Sequence, residues 1–319
     1  MRDGIGLGLL VAIATVAVAG EGPVRERIRE RIAGRKETPA QTATNGTTVE
    51  KIRVGEVSRT YRLHVPASHS DAAYAVVLSF HGLNSNAVQE ETLTGFSTLA
   101  DKEGFIVVYP EGVDAKWRFL GRDDSDVLYV DAVIADLKRR FPINGRQIYA
   151  NGISNGAQMV WRLACVRPGL LAAVGFVSGG YPWIGPESRP SAILFHGTKD
   201  RLLPYNGRGL LMPVRDFALG WAAKGDCKPE PQGQVVYQKG DATGEQWVCG
   251  RRAVVLYTLA GKGHSWPGSA MPAAITSSDI NATTAMWTFF QQCSARQAEQ
   301  GDNRPSAADR NPQTTPGPK

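Results

Sequence analysis

Short runs of β-branched and aromatic residues recur along the middle of the chain, at Ala75–Phe80, Phe105–Tyr109, Gln147–Ala150, Ala172–Val177, Ala192–Phe195 and Ala253–Leu259. They predict strands, and because several lack polar alternation these strands are expected to be covered on both faces. Between them the spacing changes. Val127, Val130, Val133, Ile134 and Leu137 share one face of a helix expected over Ser125–Phe141, with Asp124 or Ser125 available to cap its start. Further helices are expected from about Asn155 to Cys165 and through Thr284–Gln292. Strand and helix in alternation predict an α/β fold with a mostly parallel central sheet covered by helices. Lys51–Val65, with Thr60-Tyr61-Arg62-Leu63, predicts an antiparallel hairpin on its N-terminal edge.

The ends read differently. Ile5–Ala19 is an apolar run closing on Ala17-Val18-Ala19, short for a bilayer span and suited to a signal peptidase, so 1–19 is expected to be a signal peptide and the product to be exported, extracellular or periplasmic. Arg2 is offset by Asp3, and an uncleaved anchor is the alternative. Residues 20–45 pass from Arg/Glu alternation into Thr, Ala and Gln and read as a linker; 294–319 hold almost no large apolar residue and read as a disordered tail. One folded domain over 46–293 is the simplest organisation, with no internal repeat.

Composition narrows the function classes. The 319 residues carry 36 Lys and Arg against 30 Asp and Glu, a formal +6 without a basic run interleaved with aromatics, so no nucleic-acid partner is expected. Stable membrane association is not expected either. Of four cysteines none has metal-ligand spacing and the five histidines are scattered, so no metal is expected. In an oxidising compartment at least one disulfide should form; Cys227 and Cys249 flank a segment able to turn back on itself and are the first pair expected, while Cys165 and Cys293 are left as a pair or as buried thiols.

Gly152-Ile153-Ser154-Asn155-Gly156 follows a predicted strand and precedes a predicted helix, the context of a nucleophile elbow. A serine hydroxyl needs a base to take its proton and a carboxylate to orient that base. Asp200, in His196-Gly197-Thr198-Lys199-Asp200, and His264, in Gly261-Lys262-Gly263-His264, each follow a strand, and the order Ser, Asp, His is that of the α/β-hydrolase fold. The backbone N–H groups of Asn155 and of Leu83, after His81-Gly82, are the expected oxyanion donors. Asp216 and Asp226 are the rival acids. His64 and His69 are expected at the surface or an edge, and His81 and His196 in backbone-bonded turns. Trp117 and Trp266 are candidates for the substrate cleft, with core packing as the ordinary role of a large aromatic.

With these residues in place the chain resembles the secreted esterase family that groups poly(3-hydroxybutyrate) depolymerases with feruloyl and acetylxylan esterases of carbohydrate esterase family 1. The resemblance spans about 50–295 and rests on Arg62-Leu63-His64-Val65-Pro66, His81-Gly82, Tyr109-Pro110-Glu111-Gly112, Asp126-Val127, Tyr149 to Met159, His196 to Asp200 and Gly263-His264-Ser265-Trp266-Pro267-Gly268. It implies Ser154 as nucleophile, Asp200 as acid, His264 as base, Trp117 and Trp266 around the acyl group, and structural or capping roles for Asp124 and Asp126. The chain departs from the family in a short, cysteine-free Arg118–Asp123 segment and in Ala157, which stands where a glycine is frequent. The implied activity needs no cofactor and acts on feruloyl or acetyl esters of polysaccharide, or on hydroxyalkanoate oligomers. An acyltransferase or serine peptidase on the same fold, and a non-catalytic wall-binding protein, are the alternatives.

Overall fold

A computed structural model describes residues 46–67, 72–185, 189–223, 228–250 and 252–299. The expected signal segment, linker and final tail from 300 on lie outside these residues, as do His69, Asp226 and Cys227.

The chain opens with β1 (Thr47–Val54) and β2 (Val57–His64), an antiparallel hairpin as expected. Then come β3 (Tyr74–Phe80), α1 (Ala87–Thr94), α2 (Phe96–Glu103), β4 (Ile106–Pro110), α3 (Ser125–Arg140), β5 (Ile143–Ile153) and α4 (Asn155–Val166). They are followed by β6 (Ala173–Val177), β7 (Ser191–Gly197), α5 (Val214–Ala222), β8 (Gln234–Lys239), β9 (Ala242–Cys249), β10 (Arg252–Leu259) and α6 (Ala282–Glu299). The ten strands form one sheet in the order β1-β2-β4-β3-β5-β6-β7-β10-β9-β8, parallel from β4 through β10 and antiparallel at both ends. The mostly parallel sheet is the one expected from the alternation of elements, and the arrangement is that of the α/β-hydrolase fold expected from the order of Ser154, Asp200 and His264.

Strand faces explain the uninterrupted apolar runs. Along β3, Val76, Leu78 and Phe80 point into one core with α3, α4 and α5, while Val77 points into the other with α1, α2 and α6. On α3 the predicted stripe Val127, Val130, Val133, Ile134 and Leu137 is buried, and Lys138, Arg139 and Arg140 end the helix where its dipole favours cations. Its cap differs from expectation. Asp124 holds the cap position without a capping bond and instead accepts from Arg162 at 2.6 Å, while Asp123 Oδ1 accepts from the Ser125 N–H at 2.9 Å.

Helices α1, α2 and α5 had no clear sequence signal. Ala87–Thr94 reads AVQEETLT, too polar to show a stripe; it is set by Asn86, whose side chain accepts from the Gln89 N–H, and by Gly95 at φ 66°. Residues 294–299 continue α6 and are not tail, because Ser294 bonds the Tyr149 hydroxyl at 2.5 Å and an established helix extends at little cost. His64 is not a surface residue: it is 1% exposed, bonded to Thr47 and Asp101. Among the described residues no helix is long and apolar enough to cross a membrane.

Candidate active site

The elbow is built by close backbone packing. Ser154 stands between β5 and α4 at φ 57°, ψ −119°, a conformation that costs a non-glycine residue on the order of 1–3 kcal/mol. A Cβ added at Gly156 would lie 2.0 Å from the Phe80 carbonyl oxygen, and one at Gly152 only 2.8 Å from it. Both glycines are therefore required, since the turn crosses the end of β3 with no room for a side chain. The Ser154 N–H donates to Val177 O at 2.9 Å and its carbonyl accepts from the Gln158 N–H.

Asp200 and His264 meet because β7 and β10 are parallel neighbours ending in register at Gly197 and Leu259. The loops that follow are stitched together by Thr198 N–H to Leu259 O, Lys199 N–H to Lys262 O and Gly261 N–H to Thr198 Oγ. His264 Nδ1 lies 2.7 Å from Asp200 Oδ2, and Asp200 Oδ1 accepts from the Leu202 and Leu203 N–H groups, both at 2.9 Å. The Asp200 side chain is fully buried and that of His264 16% exposed. Burial pushes the Asp200 carboxyl up, but the hydrogen bond and charge of His264 and the Leu203 N–H outweigh it, so the group sits below the usual carboxylate range. An anionic Asp200 fixes the proton on Nδ1 and leaves Nε2 as the acceptor. Asp216, the rival acid within the described residues, lies in the first turn of α5 and has no part in this pair.

Ser178, which the motifs did not single out, ties the histidine loop to the elbow. It follows β6 at φ 47°, one residue beyond Val177, the register partner of Ile153, and its hydroxyl donates to Ser265 O at 3.4 Å. No hydrogen bond joins Ser154 to His264 among the described residues; such contacts commonly tighten only when substrate is bound.

His196 donates from Nε2 to Leu203 O at 2.7 Å, and burial keeps its ring neutral. His81 accepts the Gly112 N–H at Nε2 and donates from Nδ1 to Gly82 O, likewise neutral through burial. Both are backbone-bonded turn residues, as expected. Leu83, 56% exposed, follows on the same side of the sheet as the elbow. Asn155 grips Trp117: its Oδ1 accepts the Trp117 N–H at 2.7 Å and its Nδ2 donates to Trp117 O at 3.1 Å. Asp126 is structural, fully buried and paired with Arg59 at 3.0 Å.

Both tryptophans expected around the acyl group are buried. Trp117 is 3% exposed, its indole N–H donated to His81 O, and Trp266 is 1% exposed, its N–H donated to Thr283. They belong to the two cores on opposite faces of the sheet. Their size and apolar area explain the placement. Exposed apolar side chains at this edge are instead Leu83 after β3, Trp183 after β6 and Leu202 after β7. Cys249 is disulfide-bonded, its expected partner Cys227 lying outside the described residues, and Cys165 and Cys293 are free thiols.

Residues 59–193 match the family model described as Esterase PHB depolymerase. NocK of Nocardia uniformis subsp. tsuyamanensis, which bears an esterase name, is 28% identical over 88% of this chain and 95% of its own length. A probable feruloyl esterase C of Aspergillus clavatus is 31% identical over 47% of this chain and 57% of its own. Among solved structures, an acetyl xylan esterase from Aspergillus awamori superposes with a TM-score of 0.59 at 16% identity, covering 76% of this chain and 99% of that one, a likeness of fold.

Proposed function

For a chain that is a carboxylic ester hydrolase, related to the esterases of the poly(3-hydroxybutyrate) depolymerase and feruloyl esterase family, we propose a Ser154–His264–Asp200 triad acting through an acyl-enzyme. His264 Nε2 takes the Ser154 proton as Oγ attacks the ester carbonyl. The N–H groups of Asn155 and Leu83 receive the developing oxyanion, beside the positive end of α4. The tetrahedral intermediate expels the alcohol, which leaves with the proton from His264; water, deprotonated by the same histidine, then cleaves the acyl-enzyme and releases the acid. The observation that carries this reading is the 2.7 Å bond from His264 Nδ1 to a fully buried Asp200 whose other oxygen is saturated by two backbone N–H groups.

Acetyl or feruloyl esters of polysaccharide are the substrate class we favour, on the names borne by a relative and a fold neighbour. Exposed Trp183 and Leu202 supply apolar surface for an aromatic acid. Export through the Ile5–Ala19 segment and a Cys227–Cys249 bridge complete the reading.

Hydrolysis of methyl ferulate, p-nitrophenyl acetate and a 3-hydroxybutyrate oligomer by the wild type and Ser154→Ala tests it. Loss of all turnover in the variant is expected, with ferulate or acetate preferred by the wild type. A fully active variant overturns the triad, and preference for the oligomer moves the function to polyester turnover. Inertness of the wild type toward a fluorophosphonate probe would instead favour a non-catalytic binding protein.

A further inference from the structure

Beneath the elbow lies a buried polar group that the triad does not use. Glu90 of α1 is 1% exposed, and Ser79 of β3 and Asn151 of β5 are fully buried. Ser79 and Asn151 are register partners, one residue before Phe80 and Gly152, from which the Leu83 turn and the Ser154 elbow depart. The Ser79 hydroxyl lies 2.9 Å from Glu90 Oε1 and 2.8 Å from Asn151 Oδ1, two acceptors for a single hydroxyl hydrogen. Both contacts are hydrogen bonds at once when Glu90 carries a proton on Oε1: the acid donates to Ser79 Oγ, and Ser79 donates to Asn151 Oδ1. Among the described residues Glu90 Oε2 and Asn151 Nδ2 have no partner, so no fixed donor from them awaits a carboxylate there.

We infer that Glu90 is a positioning residue for the oxyanion hole, working as a neutral acid that holds β3 and β5 at the spacing required between the Leu83 and Asn155 N–H groups. The inference rests on the acyl-enzyme reading above. Its physical basis is the absence of slack: the Phe80 and His81 carbonyls lie so close to Gly156 that a Cβ there would fall within 2.0 and 2.6 Å of them. A small separation of the two strands therefore moves one oxyanion donor relative to the other, and such donors act only at near-ideal distance. An anion at Glu90 would be buried without a paired charge and would force that movement.

Among the described residues the groups around Glu90 offer it no free counter-charge. On its own helix Glu91 is paired with Arg62 of β2, and Thr94 donates back to Glu90 O. Also on β2, Arg59 is held by Asp126, Tyr61 by Asp136, and His64 by Thr47 and Asp101. Tyr109 of β4 is bonded to Ser97 of α2, Glu111 beyond β4 accepts the Ala87 N–H, and His81 beyond β3 is held by Gly112. From α6, Met286 lies against Gly175 near Asn151. Burial accordingly pushes the Glu90 carboxyl up to about 8, opposed only by the Ser79 bond.

The test compares the wild type with Glu90→Gln, whose amide N–H replaces the acid proton toward Ser79. Infrared spectra of the two at pH 7 are expected to differ by a protonated-carboxyl band present only in the wild type. Wild-type kcat/KM for p-nitrophenyl acetate is expected to fall about tenfold between pH 8 and 9.5, whereas Glu90→Gln keeps its neutral activity within about threefold and shows no such fall. Glu90→Ala, which removes the link, is expected to lose at least tenfold in kcat at every pH with KM little changed. Absence of the band overturns the inference, since an Asn151 amide turned to donate to Ser79 would then leave Glu90 ionised. An identical alkaline fall in both proteins overturns it as well. Activity retained by Ser154→Ala sinks the acyl-enzyme reading alone, because the infrared band reads the Glu90 proton without turnover.

Discussion

Gly197 and Lys262 touch backbone to backbone: a Cβ on Gly197 would stand 2.3 Å from the Lys262 carbonyl oxygen. That contact, at the adjoining ends of β7 and β10, sets the approach of the loops that bring Asp200 to His264. Gly197→Ala must push the loops apart while leaving the strands paired. We expect kcat to drop by at least tenfold for any ester, with Tm lowered by a few degrees; unchanged kcat in a folded variant would show that the loops yield without moving the pair.

The Asp200 carboxyl is held below its usual value, so the sign of its contribution to stability is fixed. The contribution is present above the unfolded-state pKa, about 3.9, and is lost as pH falls through the lower folded-state value. Asp200→Asn, which does not titrate, should flatten the acid side of a urea-denaturation profile measured from pH 5 to pH 2.5. At neutral pH the same variant should lose roughly 10³–10⁴-fold in kcat, because an amide facing Nδ1 favours the wrong tautomer of His264.

Ser154 trades stability for placement. At φ 57°, ψ −119° the residue is strained, and glycine adopts that backbone without penalty. Ser154→Gly is expected to abolish turnover and raise the unfolding free energy by about 1 kcal/mol, the relief of strain exceeding the entropy that glycine adds to the unfolded chain. A lower denaturation midpoint for this variant would contradict strain at the elbow.

Trp183 is 52% exposed and packs edge-on against Trp161, with ring centroids 4.8 Å apart, on the loop after β6. If it receives an aromatic acid, Trp183→Ala raises KM for methyl ferulate several-fold while leaving p-nitrophenyl acetate nearly unaffected. Trp117→Phe should behave in the opposite way, lowering Tm through loss of the bond to His81 O without changing the ratio of the two substrates. Steady-state kinetics on both esters, with thermal melts, separates the two roles.

The sequence by itself determined the parts that depend on neighbours along the chain. Uninterrupted apolar runs marked strands covered on both faces, the 3.6-residue stripe marked α3, and glycines at 152 and 156 marked a turn with no room for side chains. The order Ser154, Asp200, His264 on loops after strands placed all three at one edge of the sheet. Only the tertiary structure decided what depends on neighbours across the chain. It buried Trp117 and Trp266 in opposite cores, because an indole is drawn inward wherever packing permits and no motif records which side of the sheet that is. It bridged Ser178 to Ser265 and gathered Ser79, Glu90 and Asn151, contacts up to 87 residues apart between residue types that look ordinary in sequence. Helices α1 and α2 stayed illegible for the same reason: their few apolar residues are stabilised by the sheet they cover, a partner absent from local periodicity.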